Sequence, residues 1–167
     1  IKENEYGNFD ITRTLEIECD TLENSINNLN VENIDYLKID TQGAELEILK
    51  GIGKYRPSLI KTEVHIFSMY KNTASWHELV NFLYNLNYLL IDWKGIGKHK
   101  ARIPSEMDML FIPNFNNDEG KKIIRNNLKK FISLLLIFGQ ISILNLVMKR
   151  LKVDLKDINE IEDLYFN

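Results

Sequence analysis

The stretch YLKIDTQGAELEILKG, residues 36–51, joins an apolar strand, an acidic residue, a glycine and a helix. YLKID reads as the end of a strand that begins at Ile34, and AELEILKG reads as a helix with Gly51 or Gly53 near its C-terminal end. A strand that ends in Asp and turns at once into a helix is the building unit of parallel α/β sheets. In such sheets ligands bind beyond the carboxyl ends of the strands. Asp40 stands at that end. It is either a site residue or a cap on the helix that follows, whose N-terminus favours an anion. Gly43 at the helix start permits a close backbone approach, to a ligand or to the protein itself.

Downstream the same grammar repeats. LIKTEVHI, residues 59–66, reads as a strand, and SWHELVNFLYNLN as a helix. Ser75 is its expected N-cap, Glu78 sits at the capping-box position, and Leu79, Phe82, Leu83 and Leu86 point inward. YLLIDW, residues 88–93, is a strand, and MDMLFIP, residues 107–113, is another that ends at Pro113. Residues 34–93 therefore read β-α-β-α-β, the pattern of a mainly parallel sheet flanked by helices. No helix separates the strands at 88–93 and 107–113, so they form a hairpin and the last strand runs antiparallel. Upstream, TRTLEIEC, residues 12–19, alternates Leu15, Ile17 and Cys19 with polar residues, as a half-buried strand does. DTLENSINNL follows as a helix, with Asp20 and Glu23 spaced as a capping box.

Polar residues at the strand ends are the candidate site. Asp40 ends the first strand of the run, and Glu63 and His65 end the next. If the two strands are neighbours, roughly 5 Å apart, these three side chains converge on one rim. Glu63 and His65 share a face, with Val64 opposite. Two carboxylates and an imidazole suit acid/base work or metal binding. The same residues also suit plain structural roles: a cap for Asp40, a paired carboxylate for Glu63, a satisfied buried imidazole for His65. Glu45 and Glu47 read as helix-surface charges, although Glu45 is close enough to the turn to face the rim; His77 reads as exposed on its helix and His99 as a loop residue.

Composition narrows the classes. The chain has 167 residues, of which 44% are apolar, enough for one domain with a core. A net charge of -3 and a pI near 5.7 leave no basic field for nucleic acid. Cys19 is the single cysteine, which fits a reducing cytoplasm, and no Cys/His spacing assigns a metal ligand. IKENEYGNFD is charged and polar, unlike a signal peptide, and it lacks an initiator Met.

IDYLKIDTQGAELEILKG followed by SLIKTEVH resembles the FkbM family of S-adenosylmethionine-dependent methyltransferases. That family shows roughly I-D-x-x-K-I-D-x-E-G-x-E-x-x-x-L-x-G and then a strand ending E-x-H. Ile34, Asp35, Lys38, Ile39, Asp40, Gly43, Glu45, Leu49 and Gly51 match the first part, and Glu63 and His65 the second. LEIECDTLENSI and MDMLFIP resemble the segments that precede and close this region, so the likeness spans about residues 12–113. The resemblance implies the C-terminal part of a Rossmann-like α/β sheet and S-adenosylmethionine as cofactor. It implies methyl transfer to the hydroxyl of a small molecule or glycan. Asp40, Glu63 and His65 would be catalytic, and Gln42 and Gly43 would lie in the cofactor-binding turn. Gln42 stands where the family has Glu. The glycine-rich loop that holds the cofactor in the family has no counterpart in residues 1–35, and neither GIGK segment has its context. Residues 1–115 therefore read as the C-terminal half of a methyltransferase-like domain, a fragment, with 116–167 as a helical extension.

The extension carries FISLLLIFGQISILNLVM, residues 131–148, uncharged and flanked by Lys129-Lys130 and Lys149-Arg150; Ser133, Gln140, Ser142 and Asn145 interrupt its apolar run, and Gly139 is a point where a helix can break. Three readings stand open for 128–150: packing on the domain or in a homo-oligomer, association with a membrane surface, or a membrane span. A second functional class also stands beside the enzyme. It is a non-catalytic remnant that binds a partner through an exposed sheet edge and the apolar helix.

Overall fold

A computed structural model describes residues 13–66, 73–95 and 105–154. Six helices and four strands are formed there: α1 (Leu22–Asn28), β1 (Tyr36–Ile39), α2 (Glu45–Lys50), β2 (Leu59–His65), α3 (Trp76–Asn85), β3 (Tyr88–Gly95), β4 (Glu106–Pro113), α4 (Asp118–Asn126), α5 (Leu128–Ile137) and α6 (Ile141–Leu151). The sheet order is β1-β2-β4-β3. β1 and β2 are parallel, and β4 runs antiparallel to both β2 and β3. Thus β1, β2 and β3 share one direction and β4 alone opposes them, as the helix-free link between β3 and β4 requires. β4 is inserted between β2 and β3 rather than added at the rim.

Side-chain alternation sorts the sheet into two packed faces. Ile60 and Val64 of β2 and Met109 and Phe111 of β4 meet Leu49 of α2 and Leu79 and Leu83 of α3. Leu59, Leu110 and Ile112 point the other way, into the core made with α4, α5 and α6. A bulge at Ile91 shifts the β3 register against β4 between Leu90 and Asp92. α3 starts as its sequence indicates, with Ser75 and Glu78 forming a capping box.

Residues 128–150 are two helices, not one. Gly139 adopts φ +70°, and its N–H donates to the Leu136 carbonyl while the Gln140 N–H donates to that of Leu135 at 2.7 Å. This is a Schellman stop, which favours glycine at the left-handed position. α5 and α6 have 10 and 11 residues. Each spans about 15 Å, half of a bilayer core of about 30 Å. No helix among the described residues is long and apolar enough to cross a membrane, which overturns the spanning reading. Phe131, Ile132, Leu135, Leu144, Val147 and Met148 are buried against the sheet instead.

Two expectations fail near the N-terminus. Residues 13–20 form no strand, and Leu15 and Ile17 are 64% and 77% exposed. Period-two alternation makes a strand only where a neighbour supplies hydrogen bonds and a face to cover. No described strand pairs with this segment. The helix after it is capped by Thr21, whose Oγ1 accepts from the Asn24 N–H at 3.2 Å. Glu23 is not the partner of Asp20. Its carboxylate accepts from the Lys54 N–H at 3.0 Å and so ties α1 to the turn after α2.

Candidate functional site

The parallel pairing of Lys38 with Lys61 sets the site. It places Lys38 and, two residues on, Asp40 on the same sheet face as Lys61, Glu63 and His65. On the other side of β2, antiparallel pairing sets Glu63 opposite Asp108 and His65 opposite Glu106. This is the face that α4–α6 cover at its other end, through Leu59, Leu110 and Ile112. At the carboxyl ends of β1 and β2 the apolar residues give way to this polar cluster.

Definite partners hold the side chains of this cluster. Lys38 Nζ lies 2.8 Å from Asp40 Oδ2, and Lys61 Nζ lies 2.8 Å from Asp108 Oδ2. His65 is buried, with Nε2 3.7 Å from Glu106 Oε1. The Gln42 amide donates to Glu63 Oε1 at 2.8 Å and stands close enough to Asp40 to help lower its carboxyl. Gln42 thus stands between the two carboxylates that the sequence pattern singles out. It does so from a left-handed backbone, φ 58°, that L-residues rarely adopt.

Lys38 holds the Asp40 carboxyl below its ordinary range, first by its hydrogen bond and then by its charge, with Gln42 adding to the effect. Asp40 in turn raises Lys38. Glu63 moves the opposite way. Burial raises it most, the charges of Asp40 and Glu106 raise it further, and the Gln42 amide opposes them. Two neighbouring carboxylates are therefore driven apart, one toward firm ionisation and one toward holding a proton.

The turn beneath them is organised by Glu45. Its Oε1 accepts from the Thr41 N–H at 3.0 Å, the Thr41 hydroxyl at 3.1 Å and the Gly43 N–H at 3.0 Å. Glu45 is buried, not a surface charge, because three donors converge on it. Glu47 is the exposed one and pairs with Lys50. The helix-cap reading of Asp40 does not hold. Ala44 is the N-cap of α2, and the turn's amides are met by Glu45. Gly43 has φ 123°, so its conformation accounts for the glycine. The Gly43 N–H is engaged by Glu45 and the Gln42 amide by Glu63, so these two donors of the turn meet protein acceptors.

His77 is exposed on α3, and His99 lies outside the described residues. A cleft of about 390 Å³ opens at the amino ends of β1 and β2, lined among others by Ile34, Lys54, Arg56 and Lys122. It lies at the opposite end of the sheet from Asp40 and contributes nothing to this cluster. Glu106, Asp108 and Lys61 are the residues that sequence reasoning missed. Their period-two spacing is visible, but only the β2–β4 register carries it to Glu63 and His65.

A sequence profile of the family described as the methyltransferase FkbM domain matches residues 2–90, just over half of the chain. That span contains Asp40, Gln42, Gly43, Glu63 and His65. Comparison with curated proteins and with solved structures gave no significant match. With a family match of this extent, centred on the turn and strand ends just described, the chain belongs to the FkbM methyltransferase family.

Proposed function

We propose that the chain serves methyl transfer from S-adenosylmethionine to a hydroxyl acceptor, with Asp40, Glu63 and His65 forming the acceptor side of the site. The observation that carries this reading is the meeting of two carboxylates and a buried imidazole at the carboxyl ends of parallel strands in an FkbM domain. S-adenosylmethionine, when bound, supplies an electrophilic methyl group. The residues of this chain hold the acceptor and take its proton. Glu63 is the better base of the two carboxylates, because burial and its neighbours raise its proton affinity. Asp40, held ionised by Lys38, is a fixed negative charge suited to a substrate hydroxyl. His65 stands beside Glu63 at the end of β2. The acceptor class is a small molecule or a glycan.

The fit to the cofactor is partial. The Gly43 N–H and the Gln42 amide are engaged within the protein, and no glycine-rich strand-to-helix loop occurs among the described residues. In this reading the cofactor's binding loop belongs to chain that adds to the outer edge of β1, which has no described strand beside it. Radiolabelled methyl transfer to a panel of hydroxyl acceptors tests the proposal in protein that binds the cofactor. Glu63→Gln is expected to lower turnover by about a hundredfold or more if Glu63 takes the proton. Near-wild-type turnover in both Glu63→Gln and His65→Ala would remove them from the mechanism.

The open edge of β1 is also the observation that favours the second reading, a partner-binding module without catalysis. Calorimetric titration of residues 1–167 with S-adenosylmethionine separates the two. Tight binding by this chain excludes the second reading and also excludes a cofactor loop supplied from elsewhere.

A further inference from the structure

We propose that Glu63, His65 and Glu106 form a binding site for one divalent first-row transition ion of the zinc class. One ligand atom from each residue lies within 4.8 Å of the others. Around a tetrahedral zinc ion with bonds of about 2.1 Å, ligand atoms sit about 3.4 Å apart. The 3.7 Å between His65 Nε2 and Glu106 Oε1 is already close to that. Side-chain rotation of about an ångström closes the remainder, without backbone movement.

The scaffold is suited to the task. β2 and β4 are the two inner strands of the sheet, and their register sets His65 directly opposite Glu106, with Glu63 on the same face. His65 is buried, which fixes its ring. The Gln42 amide orients Glu63 from behind, as groups supporting metal ligands do.

Charge supplies the second argument. Lys38 neutralises Asp40, and Lys61 neutralises Asp108. Glu63 and Glu106 are left, and no Lys or Arg among the described residues forms an ion pair with either. A dication between the two carboxylates and a neutral imidazole brings the set to zero charge. The donor set selects the ion. An imidazole nitrogen with two carboxylate oxygens favours zinc-like ions over magnesium and calcium, which take oxygen alone. Three protein ligands leave the ion's remaining position to water or to an oxygen of a bound molecule.

The metal site rests on these side chains and not on methyl transfer, and its test requires neither cofactor nor acceptor. The full chain is stripped with a chelator and titrated with Zn²⁺ by calorimetry and with Co²⁺ by visible absorption. The expected result is saturable binding of one ion per chain, d–d absorption of a nitrogen/oxygen site, and a raised melting temperature. Glu106→Gln is expected to weaken Zn²⁺ by about tenfold or more. Cys19→Ser and His77→Gln are expected to leave binding intact, since both residues lie on the exposed surface away from the strand ends. His65→Gln is expected to remove the Co²⁺ spectrum. If that variant does not fold, Glu106→Gln decides alone, because Glu106 is partly exposed at the first position of β4. Absence of saturable binding in the wild type, or unchanged affinity in Glu106→Gln, overturns the site.

Discussion

Replacing Gln42 by Glu restores the residue that the family motif carries, and the structure makes this substitution costly. The side chain keeps its size and its backbone stays at φ 58°, but both N–H donors disappear. In their place a carboxylate stands where the amide now donates to Glu63 at 2.8 Å and also meets Asp40. Two unit charges that relax to about 4 Å repel by about 1 kcal/mol in bulk water and about 4 kcal/mol at the effective dielectric of a protein surface. Glu63 is only partly buried, so the lower half of that range applies, about 1–2 kcal/mol. For a chain of this size that lowers the melting temperature by about 2–8 °C. Linkage sets the sign with pH. The introduced carboxylate and that of Glu63 would both have folded-state proton affinities raised above the unfolded value of about 4.3. The penalty is therefore full above the raised values and vanishes as pH falls below the unfolded one. Melting curves of wild type and Gln42→Glu in chelator, at about pH 7 and about pH 4, give the check. A variant that matches wild type near neutrality, or a deficit that persists unchanged in acid, would refute this account.

Asp40→Asn removes one of the charges that raise Glu63 and releases Lys38 from its partner, so the Glu63 carboxyl should titrate at lower pH. A ¹³C-detected titration of the Glu63 carboxyl reads this, and an unchanged or raised midpoint contradicts it. Gly120→Ala is expected to cost about 2–3 kcal/mol in urea unfolding, because an added Cβ would lie 2.1 Å from the Asn114 carbonyl oxygen, with two more backbone atoms of Asn114 inside 3.0 Å. That outweighs the gain of about 1 kcal/mol from placing alanine in a helix. Gly139→Ala provides the contrast. Nothing lies within 4 Å of its added Cβ, so its cost is the left-handed conformation alone, about 1–2 kcal/mol. A Gly120→Ala variant as stable as wild type, or more so, would show that the Asn114 backbone gives way and that steric contact at Gly120 does not set the cost.

The short-range features were legible because they depend on neighbours in sequence. The period-two runs at β1 to β4, the Ser75–Glu78 capping box and the glycine at Gly43 are each set by local geometry. The direction of β4 was legible too, since a link without a helix cannot make a parallel crossover. Asp40, Glu63 and His65 could be chosen from strand ends for the same reason. Where a reading failed, a distant partner decided. Residues 13–19 alternate correctly, but without a described strand to pair with they form none. In residues 131–148 the glycine marked a possible break, but only the assembled fold shows the Schellman turn at Gly139 dividing two short helices that bury their apolar faces on the sheet. Glu45 looks like surface charge until the turn folds its three donors onto it.

By itself, then, the amino-acid order determined the strand–turn–helix at residues 36–51, the α/β class and the residues at the strand ends. Each of these follows from side-chain period and backbone preference over a few positions. Only the tertiary structure decided what those residues meet. The β2–β4 register brought Glu106 to His65 and Asp108 to Glu63 across more than 40 residues of chain. The left-handed turn aimed the Gln42 amide between Asp40 and Glu63. Hydrogen bonds and charges act over a few ångströms of space whatever the distance along the chain, so these pairings exist only once the sheet is assembled.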